Sequence, residues 1–143
     1  MKVSSDFSNN DKIPAEYTCD GKNIVPPLTI SDIPSHAKTL AIIVDDPDAP
    51  SKTWVHWIIF DIPASPPEME ITNNSLGKEG INDFKKTGYN GPCPPSGMHH
   101  YHFKVYALGA ELALSRGSTR EEVEAGMKGK ILDESELIGI YQK

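Results

Sequence analysis

The sequence predicts a mainly β fold, a β-sandwich with one or two short helices. First, the chain has 12 prolines and 11 glycines among its 143 residues. Together these two residue types exceed their average share of ~12% of a chain, and they favour turns and extended segments. Second, short apolar runs rich in β-branched residues are separated by proline-rich turns. Third, only one segment carries convincing helix signals. A helical bundle or a coiled coil is therefore excluded.

Size and charge indicate one domain spanning residues 1–143. A mass of 15.7 kDa is typical of one domain, and a chain of this size buries roughly 68–70% of its extended surface. No break in composition and no internal repeat divides the chain. The net charge of −6 argues against nucleic acid as a partner, because phosphate backbones repel an acidic surface. This charge does not argue against one small anion in a local pocket.

Four strands are predicted, each from an apolar or aromatic run bounded by turn residues. They are Thr39 to Val44, Trp54 to Phe60, His99 to Leu108 and Glu136 to Gln142. The first 35 residues are polar and turn-rich, with prolines that enforce extended backbone. Residues 62–98 contain so many prolines and glycines that we expect loops throughout.

The helix is predicted near residue 120. Ser118 or Thr119 is the expected N-cap, with Glu121 or Glu122 three residues later completing a capping box. Acidic residues suit the first turn because the helix N-terminus carries partial positive charge. Gly129 is expected to end the helix.

The two cysteines, Cys19 and Cys93, are too few for a disulfide framework or a structural zinc site. Two free thiols are favoured, although both cysteines lie in turns and one disulfide stays open. The polar start, Met1 to Asp6, shows no apolar signal region. The longest aliphatic runs, such as Leu40 to Val44, are far shorter than the ~20 residues of a membrane span. We therefore expect a cytoplasmic protein without integral membrane association.

Strand alternation predicts where the histidines face. Two core-facing rows are expected: Trp54, His56, Ile58 and Phe60 on one strand, and His99, Tyr101, Phe103 and Val105 on the next. His56 and His99 then lie at the rim of the core, either as hydrogen-bonded core histidines or, together with Trp54 and Tyr101, as a polar mouth on an apolar cavity. His100 and His102 point outward and are expected to be solvated.

Three carboxylates follow the first predicted strand, in Asp45-Asp46-Pro47-Asp48. A turn explains these residue types, since Asp caps turns and Pro fixes them. The alternative is a zinc or other divalent site in which Asp46 or Asp48 joins His56 and His99. The spacing fits no zinc template, so no metal and no cofactor are predicted. No nucleophile elbow or phosphate-binding loop occurs either.

Three motifs in order resemble the phosphatidylethanolamine-binding protein family, which includes the Raf kinase inhibitor proteins. These are Asp46-Pro47-Asp48-Ala49-Pro50, Trp54-Val55-His56-Trp57, and the segment from Gly88-Tyr89-Asn90-Gly91-Pro92-Cys93 to His99-His100-Tyr101. The match runs over essentially the whole chain. Only Ser51 to Thr53 separates the first two motifs, where animal members carry an insertion, and the chain stops at Lys143 without their C-terminal helix. Both departures resemble the compact bacterial and archaeal branch.

The resemblance implies two antiparallel sheets and a small pocket for phosphate-like anions. Carried over to this sequence, the pocket would use Asp46, Trp54, His56, Gly91, His99 and Tyr101, with Asp48 and Pro92 in support. Imidazole N–H and tyrosine O–H groups would donate to anion oxygens, and glycine would allow close backbone approach. Asp46 would orient or charge a histidine, or accept from a protonated phosphate oxygen.

Three functions are therefore weighed. The leading one is non-enzymatic binding of phosphate or a phosphorylated small molecule. The second is inhibition of a serine protease or a kinase, with the loop 88–97 as contact surface. The kinase version is weakened by the missing insertion and helix. The third is a metal- or acid–base-dependent hydrolase using His56, His99 and Asp46. A homodimer is left open.

Overall fold

The computed structural model describes all 143 residues and consists mainly of β-strands in two sheets. The larger sheet has the order β2-β9-β8-β4-β5-β7 and the smaller one β1-β3-β6. The larger sheet comprises β2 (Asp11–Lys12), β4 (Thr39–Asp46), β5 (Trp54–Pro63), β7 (Lys78–Glu79), β8 (Met98–Leu108) and β9 (Ile131–Gln142). The smaller comprises β1 (Lys2–Ser4), β3 (Leu28–Ser31) and β6 (Met69–Ile71). The fold class predicted from the sequence is confirmed.

All four predicted strands are present, and each extends beyond its predicted bounds. Neighbouring long strands pair antiparallel, while the two-residue β2 pairs parallel with β9. The prediction that residues 62–98 contain only loops is wrong, because β6 and β7 lie there. These strands have three and two residues, too short to show a period-2 pattern. Their pairing depends on neighbours that are distant in sequence.

Two hydrophobic cores cover the two faces of the larger sheet. Alternate residues of β4 point to opposite faces of the sheet, and Leu40, Ile42 and Val44 pack toward the smaller sheet. Ala41 and Ile43 pack toward the helix α1 (Arg120–Met127). The first core lies between the two sheets, and the second lies between the larger sheet and α1. Neither α1 nor the short 3-10 helix, Ala15–Tyr17, is long and apolar enough to cross a membrane.

The helix begins as its sequence predicts. Thr119 is the N-cap: its side chain accepts from the backbone of Glu122, whose side chain reaches back to the cap backbone. This reciprocal capping box resolves the choice between the two candidate caps. The chain leaves the helix at Lys128, and Gly129 takes a positive φ of 78°.

A β-bulge in β5 changes which residues face the first core. Val44 pairs with Trp57 and the next residue, Asp45, pairs with Val55, so His56 is an extra residue. A bulge of this kind reverses the alternation beyond it. The predicted row of Trp54, His56, Ile58 and Phe60 is therefore wrong in its second half, since Ile58 and Phe60 pack against α1. The row on β8 follows its prediction.

The cysteines form a disulfide, Cys19–Cys93, with their Cα atoms 5.4 Å apart. No cysteine is free, so the favoured interpretation of two free thiols is wrong. The two turns lie side by side, and the backbone N–H of Cys19 also donates to the carbonyl oxygen of Pro92 at 3.1 Å. The residues are 74 positions apart, and only the folded topology brings them together.

Candidate functional site

The predicted site residues converge on a cavity of about 260 Å³. The cavity lies where β4 ends, β5 begins and β8 begins. It is lined by Asp46, Ala49, Pro50, Trp54, His56, Phe84, Cys93, Pro94, Pro95, His99 and Tyr101. Five of the eight predicted residues are in this lining: Asp46, Trp54, His56, His99 and Tyr101. Prolines from two of the sequence motifs form much of the remaining wall.

His99 is held by Asp46. Its Nδ1 lies 2.6 Å from Asp46 Oδ2, and both side chains are buried. The other oxygen, Asp46 Oδ1, accepts from the backbone N–H of Asp48 at 2.8 Å. Because an ionised carboxylate only accepts hydrogen bonds, His99 Nδ1 carries a proton. Nε2 is thus the ring nitrogen left for a ligand.

His56 is held by the backbone rather than by a carboxylate. Its Nδ1 lies 2.6 Å from the carbonyl oxygen of Asn90, and the Asn90 N–H donates back to the His56 carbonyl at 3.1 Å. Burial lowers the pKa of His56 below its usual range, although the hydrogen bond of the ring to Asn90 and the charge of Asp46 act in the opposite direction. The ring is therefore neutral at neutral pH.

Tyr101 brings a hydroxyl group into the lining. The residue is 1% exposed, and its hydroxyl has no hydrogen-bond partner. Its ring stacks on His99 and meets His56 edge-on, with centroid distances of 6.4 Å and 5.2 Å. Burial, followed by the charge of Asp46, raises the Tyr101 pKa, although the backbone N–H of Cys93, which lies too far away for a hydrogen bond of normal geometry, acts in the opposite direction. The hydroxyl thus keeps its proton and is free to donate it to a ligand.

Two predicted residues support the pocket from behind instead of lining it. The Gly91 N–H donates to Asn23 Oδ1 at 2.8 Å. A side chain at Gly91 would overlap the carbonyl oxygen of Tyr17. The adjacent Pro92 carbonyl accepts from Cys19. The close approach predicted for Gly91 is therefore made to the chain's own backbone.

The third predicted residue outside the lining, Asp48, binds His100. Asp48 Oδ2 accepts from the His100 backbone N–H at 2.8 Å and lies 2.7 Å from its Nδ1. These hydrogen bonds lower the pKa of Asp48. No three His, Cys, Asp or Glu side chains are grouped as metal ligands. The alternative zinc site, Asp46 or Asp48 with His56 and His99, thus has no ligand cluster.

Two residues that shape the pocket, Phe84 and Asn82, lie outside every motif identified in the sequence. Phe84 packs edge-on against both His56 and Trp54, with centroid distances of 5.3 Å and 5.7 Å. The buried Asn82 donates to the Gly88 carbonyl and to the side chain of Asn90. Both come from the segment predicted as loop, where neither periodicity nor a motif distinguishes an isolated Phe or Asn.

Comparisons with known proteins agree with this architecture. A family model described as phosphatidylethanolamine-binding protein matches residues 3–142. A UPF0098 protein of Pyrococcus abyssi is 49% identical, covering 100% of this chain and 85% of that relative. A UPF0098 protein of Methanothermobacter thermautotrophicus is 47% identical, covering 96% of this chain and 95% of that relative.

Two crystal structures are also similar. A phosphatidylethanolamine-binding protein homologue of Chlamydia trachomatis matches with a TM-score of 0.92 and 37% identity, covering 99% of this chain and 97% of that one. Escherichia coli YbcL, a member of the mammalian family, matches with a TM-score of 0.88 and 29% identity, covering 99% and 98%. The resemblance stated from the sequence motifs is confirmed, and the chain belongs to the phosphatidylethanolamine-binding protein family.

Proposed function

We propose that this protein is a non-enzymatic binder of small phosphate-like anions at the pocket between His56, His99 and Tyr101. The observation that carries the proposal is the Tyr101 hydroxyl, which is buried in the lining without a partner. A buried hydroxyl left unpaired costs about 1–3 kcal/mol. A ligand oxygen in the pocket would satisfy it.

The size and lining of the pocket support a small ligand. Its volume of about 260 Å³ lies just below the range of roughly 300–1,000 Å³ that is usual for drug-sized molecules. No Lys or Arg lines it, so an anion would be held by directed hydrogen bonds and not by a cation. The apolar part of the wall suits a short substituent on the anion.

The test is a titration with inorganic phosphate in which binding is measured by calorimetry and by tryptophan fluorescence. Trp54 lines the pocket, whereas Trp57 is fully buried in the core, so a fluorescence change would report Trp54. We expect His99→Ala to weaken phosphate binding about tenfold or more, since it removes a hydrogen-bonding group.

The matched control is His102→Ala, a histidine on the same strand whose ring instead lies 3.1 Å from Glu136. This variant should bind phosphate like the unmodified protein. The proposal fails if phosphate does not bind at millimolar concentration, or if His99→Ala and His102→Ala bind equally well.

A second candidate, acid–base hydrolysis, is favoured by the Asp46–His99 pair. A carboxylate that fixes one imidazole nitrogen leaves the other positioned to take a proton, which is the arrangement of a general base. A screen of phosphoester substrates would support this candidate if turnover occurs and is lost in His99→Gln. No turnover in the screen would discard it.

A further inference from the structure

The hydrogen bonds of the two pocket histidines determine what their free nitrogens offer to a ligand. A carbonyl oxygen only accepts, so the short contact from Asn90 places the proton of neutral His56 on Nδ1. Nε2 of His56 then presents a lone pair. In the same way, Asp46 keeps a proton on Nδ1 of His99. The neutral ring of His56 therefore accepts a hydrogen bond from a ligand at Nε2 and donates none there.

The charges around His56 explain why it stays neutral. Asp46 on β4 and Tyr101 and His99 on β8 line the pocket with His56. Asp45 on β4 acts on the ring through its charge, although its carboxylate is paired with Lys104 and Arg120. The carboxylates favour a charged ring, yet desolvation by burial is the larger influence and lowers the pKa of His56. Phe84, which packs edge-on against the ring, adds apolar surface and no counter-charge.

The pocket therefore combines one clear donor with acceptors and a negative charge. The donor is the unpaired hydroxyl of Tyr101. The acceptor is Nε2 of His56, and the only carboxylate in the lining is Asp46. The lone pairs of an oxyanion without a proton would be repelled by these acceptors. An oxyanion that carries a proton would donate that proton to one of them.

We propose that the pocket selects oxyanions that bring their own proton, namely the monoanions of phosphate and phosphomonoesters, over proton-free anions of the same shape and charge. The P–OH group donates to Nε2 of His56, and a second phosphate oxygen accepts from Tyr101. This inference rests on the proposed anion-binding function and narrows its ligand class. Phosphodiesters and sulfate esters, which lack the proton, fall outside that class.

The experiment compares methyl phosphate with methyl sulfate by calorimetry. At about pH 6.5 the lowered pKa of His56 keeps its ring mainly neutral, and about a quarter of methyl phosphate is still the monoanion, given a second pKa of about 6. This monoanion has the same charge and nearly the same shape as methyl sulfate, so affinities are compared per monoanion. Only methyl phosphate has a hydroxyl proton. We expect the methyl phosphate monoanion to bind at least about fivefold more tightly than methyl sulfate. Methyl sulfate leaves one buried acceptor unpaired, and this costs affinity by about that ratio. The apparent affinity of methyl phosphate should fall at about pH 7.5, where it is almost entirely a dianion.

The variant His56→Leu separates recognition from packing. A purely structural role of His56 would weaken both probes alike, whereas loss of the acceptor should bring the affinity ratio of methyl phosphate to methyl sulfate close to one. Equal binding of the two probes by the unmodified protein would overturn the inference and leave anion binding intact. Failure of both probes to bind would overturn the inference and the proposed function together.

Discussion

Removing the Cys19–Cys93 disulfide should destabilise the fold without changing it. The bridge joins residues 74 positions apart, and the chain-entropy relation for a loop of this size gives about 4.5 kcal/mol at about 25 °C. Measured values commonly fall below this relation, so we expect a loss of about 3 kcal/mol in the free energy of unfolding. The native turns should stay together, because the Cys19–Pro92 and Gly91–Asn23 hydrogen bonds do not depend on the sulfur atoms.

The assay is equilibrium unfolding in urea of the unmodified protein and of the double variant Cys19→Ser/Cys93→Ser. The variant should unfold at lower urea with a steeper dependence, since its unfolded chain is less compact. Far-UV circular dichroism should be unchanged before unfolding. Adding reductant should bring the unmodified protein to the stability of the variant. A difference below about 1 kcal/mol would refute the reasoning, as would reactive thiols in the unreduced, denatured protein.

Three further predictions concern the pocket. Tyr101→Phe should weaken phosphate binding about fivefold while leaving the free energy of unfolding unchanged or slightly higher, because it removes an unpaired buried hydroxyl; calorimetry and urea unfolding check the two effects. Gly91→Ala should cost about 1–3 kcal/mol in urea unfolding, since its added methyl group meets the rigid backbone of Tyr17, and an unchanged midpoint would contradict this. The third prediction concerns pH: because the folded-state pKa of His56 is lowered, the unfolded chain binds more protons than the folded one. The free energy of unfolding should therefore fall as pH drops below about 6.5, by at most about 1.4 kcal/mol per pH unit. His56→Leu should reduce this slope in urea unfolding, and an equal slope in both proteins would contradict the lowered pKa.

Residue patterns predicted the long strands and part of the pocket lining because those features are local. Short apolar runs between prolines mark β4 and β8, and alternation along β8 correctly places His99 and Tyr101 on the core side. The disulfide and the contacts of Phe84 could not be predicted from such patterns. Both depend on where loops lie after folding, and the sequence of those loops predicts only that they are loops, not which part of the chain they contact.

The bulge at His56 is the origin both of a wrong prediction for β5 and of the position of His56 in the candidate site. If β5 alternated regularly, the placement of Trp57 and Ile59 in the core between the sheets would turn His56 toward α1. The extra residue lets His56 face the same side as Trp57, where it meets the ring of Tyr101. Bulges are frequent beside active and binding sites because they redirect one side chain while the rest of the sheet stays paired. The same bulge that makes the period-2 prediction for β5 wrong therefore brings the second imidazole into the pocket.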